Sequence, residues 1–520
     1  MAKIFNTKAD LVAASLTAGQ LTSTKGYTTA GDGGGATYLI KTAVDYAGTP
    51  DEYGDHTLAG GTIAVLQTEG SVNVKLFGAT GDNTTDDTLA IQAAIAKCRA
   101  TNQMLLHCPR GFYRISATLN VSGISVKGDG VFATRFIALN GFTGTELLLI
   151  DSATTGGSAG QKYSGFQVEG SRSFSSDVLD GMRLKGDVLH NVFENLKISE
   201  CKAFAIKIEG DDDTTTTQRP SVNTFTNLRL IENDKSALLV KAGRSNTFID
   251  CDFELCGETC IRIEGQNASE SPTNIQFVGG WVEGAGTGFD AINLSQSVNC
   301  TFRNMNITTY GDATGTTGHG FDLQNSNYVV IENCTIGANR SGASTATSVK
   351  INSSGGRWCR VINTPSDFVF PTDFIDVSPY FINFIGANTG DYGNKHYMVQ
   401  SNGSSIATGS SGNYVQPYTG VISTSALVDI TYTISNRMTL TNFHATTKQL
   451  PGGTESYRIM FYKNGALSHD FFLTDANSGE DSNSTTVTLD IGDTIGFRII
   501  SSASAASVAV GQIQITCAFL

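Results

Sequence analysis

NVFENLKI at residues 191–198, NTFTNLRL at 223–230 and NTFIDCDF at 246–253 are three copies of one pattern. Three more follow: NIQFVGGWV at 274–282, NCTFRNMNI at 299–307 and YVVIENCTI at 328–336. Aligned on Phe193, Phe225, Phe248, Phe277, Phe302 and Ile331, the residue three places on is Leu196, Leu228, Cys251, Gly280, Met305 or Cys334. Five places on it is Ile198, Leu230, Phe253, Val282, Ile307 or Ile336. Two alternate columns are therefore apolar or small in every copy, which is the mark of a strand with one buried face. A second short strand follows each copy (AIKIEG, ALLVKA, CIRIEG, AINLSQ, GFDLQN, SVKINS), with apolar pairs running from Ile206/Ile208 to Val349/Ile351. A weaker earlier copy is YSGFQVEG at 163–170 with GMRLKGD at 181–187. The step between markers runs from 23 residues (Phe225 to Phe248) to 32 (Phe193 to Phe225), within the range of solenoid repeats. One unit cannot bury its apolar face alone, but stacked units share a continuous core. The expected fold is all-β, an elongated parallel β-helix.

Composition agrees. Only 16% of the 520 residues are charged, and there are 57 Gly against 9 Pro, a balance that favours short strands and polar turns over helical bundles. The formal net charge of -13 comes with no basic stripe, so nucleic acid is not an expected partner. No apolar run reaches the roughly 20 residues of a membrane span, and MAKIFNTKADLVAASL lacks a signal-peptide core. Synthesis in a reducing cytosol is expected, and ten cysteines in a chain of this length are no disulfide scaffold.

Ahead of the repeats stand VNVKLFGATGDNTTDDTLAIQAAIAKC (72–98), HCPRGFYRIS (107–116) and LNVSGISVKGDG (119–130). Their order and spacing resemble the opening of pectate-lyase-like right-handed β-helices, above all bacteriophage tailspikes that degrade bacterial surface polysaccharide; with the repeats, the resemblance spans roughly residues 71–385. Asn83 stands where that family usually has Gly. Read physically, Asp86 or Asp87 caps the following helix, and Leu89, Ile91, Ala94 and Ile95 give it an apolar side that plugs the open end of the solenoid.

Residues 1–70 differ in texture and are expected to form an N-terminal attachment or cap domain. TKADLVAASL reads as a short helix capped by Thr7, and GYTTAGDGGGATYLI (26–40) as strand, glycine loop, strand; the glycines lack the Lys-Ser/Thr and helix of a phosphate loop. The β-helix is placed at 71–387. A Gly/Ser-rich break then precedes YRIMFYKNGALSHDFFL and TVTLDIGDTIGFRII, alternating strands joined by turns such as Asn464-Gly465. Residues 388–520 are thus expected to form an antiparallel, jelly-roll-like β-sandwich. LDIGDTIGFRI is similar to C1q/TNF-type trimer modules, which implies trimerisation or sugar binding.

Chemistry is sought in the outward columns. Four places after the marker lie Lys197, Arg229, Asp252, Trp281, Asn306 and Thr335; six places after it lie Ser199, Ile231, Glu254, Glu283, Thr308 and Gly337, with Glu169 in the earlier copy. Adjacent strands are about 4.8 Å apart, so Glu254 and Glu283 are expected to stack, and their repulsion to hold one as acid and one as carboxylate. Glycoside hydrolysis needs such a pair. Glu254, Glu283 and Asp252 are the catalytic candidates; Trp281 as a sugar platform, with Arg229 and Lys197, are the substrate-contact candidates. The runner-up is a polysaccharide lyase acting on a uronic acid, with Lys197, Arg229, Tyr310 and His319 available. A third reading is a glycan-binding adhesin without enzymatic activity. No cofactor or metal is called for: Asp211, Asp212 and Asp213 lack calcium-loop spacing, and the histidines form no metal-spaced pair. In CDFELCGETC (251–260), Cys251 shares an inward column, Cys260 takes a small position and Cys256 falls near a turn. The resemblance further implies a homotrimer in the virion, attached to a phage tail or baseplate protein through the N-terminal domain, with capsule or O-antigen as substrate.

Overall fold

The computed structural model describes residues 3–362 except 102–104, 156–157, 171–178, 212–217, 266–270, 287, 309–317, 338–348 and 352–358, and beyond 362 only strands and turns between 382 and 519. The chain forms two compact units, Met1–Arg262 and Ile263–Leu520. The fold is a right-handed parallel β-helix with a small N-terminal domain and a C-terminal antiparallel β-sandwich.

In the first unit the marker column is a stack of rings. Tyr163, Phe193, Phe225 and Phe248 are parallel partners on successive rungs, with centroids 4.8, 4.7 and 4.4 Å apart and planes within 9°. Offset aromatic stacking adds to the burial each ring already contributes. A buried amide ladder runs beside it: the Asn191 backbone N–H donates to the Asn223 side chain, and that of Asn223 to Asn246. In the second unit Phe277 stacks on Phe302 at 4.8 Å.

The marker and the next inward residue are three places apart, which breaks a period of two. Asn195, Asn227, Asp250, Gly279, Asn304 and Asn333, two places after each marker, all adopt positive φ. That left-handed residue turns the chain from one sheet to the next, and Asn, Asp and Gly tolerate it best. Each expected single strand therefore carries a corner. In the later copies it splits into two strands, such as Thr247–Ile249 with Asp252–Glu254 and Thr301–Arg303 with Asn306–Thr308.

At the mouth of the solenoid the helix Thr88–Ala100 buries Ile91, Ala94, Ile95 and Cys98. Leu89 does not join them and is 60% exposed: two residues from Ile91, it points about 200° away on the helical wheel. Asp86 accepts from the Thr88 N–H and caps this helix, whereas Asp87 takes the N-cap position but turns its carboxylate to the N–H groups of Thr80 and Gly81. Asn83 has φ 72°, the conformation Gly would supply.

The N-terminal sheet runs Lys3–Phe5, Leu21–Thr24, Thr37–Lys41, Ile63–Gln67, His56–Thr57. Thr7 caps the helix Lys8–Val12 through a capping box with Asp10. Residues 26–36 form no strand, which corrects the expectation there: the Asp32 carboxylate accepts from the N–H groups of Tyr27, Thr28, Thr29 and Gly34 and winds the segment into turns. At the C-terminal end Ser456–Lys463 and Ala466–Thr474 form an antiparallel hairpin around Asn464-Gly465, both at positive φ as a two-residue turn requires. Met438–Thr447 and Lys395–Gln400 pair antiparallel with Ile513–Phe519. No helix among the described residues is long and apolar enough to cross a membrane.

Candidate functional site

Parallel register places one outward column of the first unit without ambiguity. Phe112, Arg135, Gln167, Lys197, Arg229 and Asp252 are successive partners, about 4.8 Å from rung to rung. The neighbouring outward column is Ile137, Glu169, Ser199, Ile231 and Glu254. Lys197, Arg229, Asp252 and Glu254 are therefore brought together on one face. Asp252 and Glu254 flank the fully buried Phe253, so both point outward, about 6.6 Å apart along the strand.

The Arg229 Nε lies 3.8 Å from the Asp252 carboxylate, with both side chains more than a third exposed. Such a pair adds little stability in water. Its effect on Asp252 is outweighed: partial burial, helped by the Asp250 charge, holds the Asp252 carboxyl above its usual range despite Arg229. Higher in the column the Arg135 guanidinium lies over the Phe112 ring at 5.0 Å and pairs with Glu169. Gln167 donates to Glu169 at 3.2 Å.

In the second unit Trp281 and Glu283 flank the buried Val282, and their register partners are Asn306 and Thr308. Trp281 is 39% exposed, enough to offer a ring face. His319 donates its backbone N–H to Asp290. Tyr310, Asp212 and Asp213 lie outside the described residues. The cysteines of residues 251–260 are buried thiols, and among the described residues no group of three or more His, Cys, Asp or Glu is arranged to hold a metal.

A second charged group escaped the reading of the sequence. On another face of the first unit, Arg183 pairs with both Glu146 and Glu209, and Lys207 lies 3.0 Å from Glu209. Asp180, the register partner of Glu146, is only 4% exposed. Burial, reinforced by Glu146, pushes its carboxyl up to about 6 against the pull of Lys207 and Arg183. The available signal was the alternation in GMRLKGD and AIKIEG, where the outward Arg183 and Lys185 fall opposite Lys207 and Glu209.

The family model described as rhamnogalacturonase A/epimerase, pectate lyase-like, matches residues 71–358. Mannuronan C5-epimerase AlgE3 of Azotobacter vinelandii is 32% identical over 117 residues, 21% of this chain but only 6% of that protein. The corresponding AlgE2 match covers 12% of its length, so the chain spans a small fraction of these curated relatives. Among solved structures, the tailspike protein gp49 of Acinetobacter baumannii bacteriophage Fri1, described as a capsular polysaccharide depolymerase, superposes with a TM-score of 0.54 at 14% identity over 100% of this chain and 98% of that one. Full-length tailspike protein 2 of the Escherichia coli O157:H7 bacteriophage CAB120 gives 0.54 at 14% identity over 98% and 79%. At such identity the likeness fixes the fold.

Proposed function

This chain belongs to the rhamnogalacturonase A/epimerase, pectate-lyase-like family, and on that premise we propose that it is a tailspike depolymerase that cleaves bacterial surface polysaccharide by acid–base hydrolysis. The observation that carries the reading is the outward pair Asp252 and Glu254 beside Arg229. Asp252, its carboxyl raised by burial, is the general acid for the leaving oxygen; Glu254 is the base or nucleophile. Arg229 and Lys197 hold an acidic sugar or its hydroxyls. In the second unit Trp281 is the sugar platform and Glu283 the further carboxylate candidate. A homotrimer, attached to a phage tail or baseplate through the N-terminal domain, completes the reading.

Asp252→Asn and Glu254→Gln should each lower the rate of polysaccharide shortening about 10²- to 10⁴-fold with the melting temperature unchanged. Full activity in both variants would sink the assignment. The lyase reading is favoured by one observation, the match to enzymes named for mannuronan, a uronic-acid polymer. Absorbance near 235 nm distinguishes the two, because only β-elimination creates an unsaturated end.

A further inference from the structure

His56 is wholly buried, and neither ring nitrogen has a hydrogen-bond partner among the described residues. Burying a polar group without a partner costs free energy, so this position calls for an account. The imidazole lies between two aromatic rings, 6.2 Å from Tyr27 and 5.8 Å from Tyr38. The charged and titratable groups facing it are Lys8, from the helix Lys8–Val12; Asp51, Glu52 and Asp55, from the loop and strand that carry it; and the two tyrosines. Glu52 is the nearest anion, its carboxylate 3.8 Å from Nδ1. Burial first and Lys8 second hold the imidazole down to about 4, against the pull of the three carboxylates.

His56 sits at the joint between the N-terminal sheet and the mouth of the solenoid. Its neighbour Asp55 ties three elements together: it accepts from the Leu66 N–H at 2.8 Å, from Tyr46 Oη at 3.0 Å and from Lys97 Nζ at 3.3 Å. Lys97 belongs to the mouth helix Thr88–Ala100. The two sides meet without room for a methyl group. A Cβ on Gly54 would fall 2.4 Å from the Phe77 ring, and one on Gly78, itself at positive φ, 2.5 Å from the Tyr27 ring. Tyr27 thus touches His56 on one side and the solenoid on the other. A charge appearing on His56 would have Glu52 at 3.8 Å as a counter-charge but no hydrogen bond for either N–H, so it calls for water, and water enters only if Tyr27, Tyr38 and the Asp55 hub move apart.

We propose that this joint is a proton-operated coupling, which holds the N-terminal sheet rigidly on the solenoid while His56 is neutral and releases it when His56 takes up a proton. Close packing makes the response two-state, because a packed core opens or stays shut and does not stretch.

Two exposed residues offer reporters on either side: Val44, 87% exposed, and Leu89. Spin labels on Val44→Cys and Leu89→Cys, in the full chain carrying Cys517→Ser, give the distance across the joint, since the nine cysteines among the described residues are buried and react poorly. The distance distribution should be narrow at pH 7.5 and broaden reversibly at pH 4 and below. With His56→Phe or His56→Gln it should stay narrow at both. In parallel, the His56 ring titrated by NMR in the unlabelled chain should share its midpoint with the broadening. A distribution that stays narrow in the parent chain at acid pH overturns the proposal. So does equal broadening without His56, or an opening midpoint that differs from the ring's.

Discussion

Asp180 and Asp252 both stand on strands of the first unit, and burial raises both carboxyls, yet their surroundings differ. Asp180 is enclosed by a network whose cations and anions are already matched, Arg183 between Glu146 and Glu209 and Lys207 on Glu209. Asp252 faces solvent with one loose cation beside it and Glu254 on the same strand. A raised carboxyl is thus no signature of chemistry by itself. Access to solvent is what separates a candidate for reaction from an enclosed, structural acid. Rate should depend on the exposed pair and stability on the enclosed network, and the Asp252→Asn loss is the largest effect expected.

The converse effect belongs to Arg183. Arg183→Met leaves Glu146 and Glu209 enclosed without their shared cation, which costs about 3–5 kcal/mol of stability. Chemical denaturation should show it, and depolymerisation by the molecules still folded should continue. An unchanged midpoint would show the network to be more solvated than its burial implies. Adding Glu146→Gln should recover part of the loss.

A smaller effect, with a definite sign, comes from Asp180. Its carboxyl titrates near 6 when folded and near 3.8 when unfolded, so the folded chain holds a proton that the unfolded chain has lost between those values. That contribution is complete below pH 3.8 and falls away as pH rises through 6, a total of about 3 kcal/mol at most. Asp180→Asn should remove this slope from the pH dependence of unfolding. Retention of the slope would place the proton on another group.

The core was legible because it repeats. Alternation at Leu196/Ile198 and its counterparts located the inward columns, and the register then fixed Lys197, Arg229 and Asp252 on one face. The corners were legible too, as Asn, Asp or Gly two places after each marker, but only when the three-residue step is taken as a turn. The network at Arg183 was not. Glu146, Asp180 and Lys207 come from strands joined by connections of unequal length, and no period marks which outward charges will be enclosed. His56 was hidden for a related reason. Its burial follows from the N-terminal sheet packing on the mouth of the solenoid, and that contact is not periodic. Leu89 shows the same limit at one residue, since its chemistry suggested core while its angle on the helix placed it outside.

The smallest expected effect tests the exposed side of the comparison most closely. Arg229 acts on Asp252 in the direction that lowers its carboxyl, against burial and Asp250. Arg229→Gln removes that pull, so Asp252 should keep its proton to higher pH. If Asp252 is the general acid, activity is lost as it ionises, and the alkaline limb of the kcat/KM profile should move upward. Loss of a substrate contact would raise KM at every pH and leave the limb in place. Movement of the limb therefore separates an effect on the acid from an effect on binding. A limb that stays in place would instead assign the alkaline ionisation to a group that Arg229 does not face.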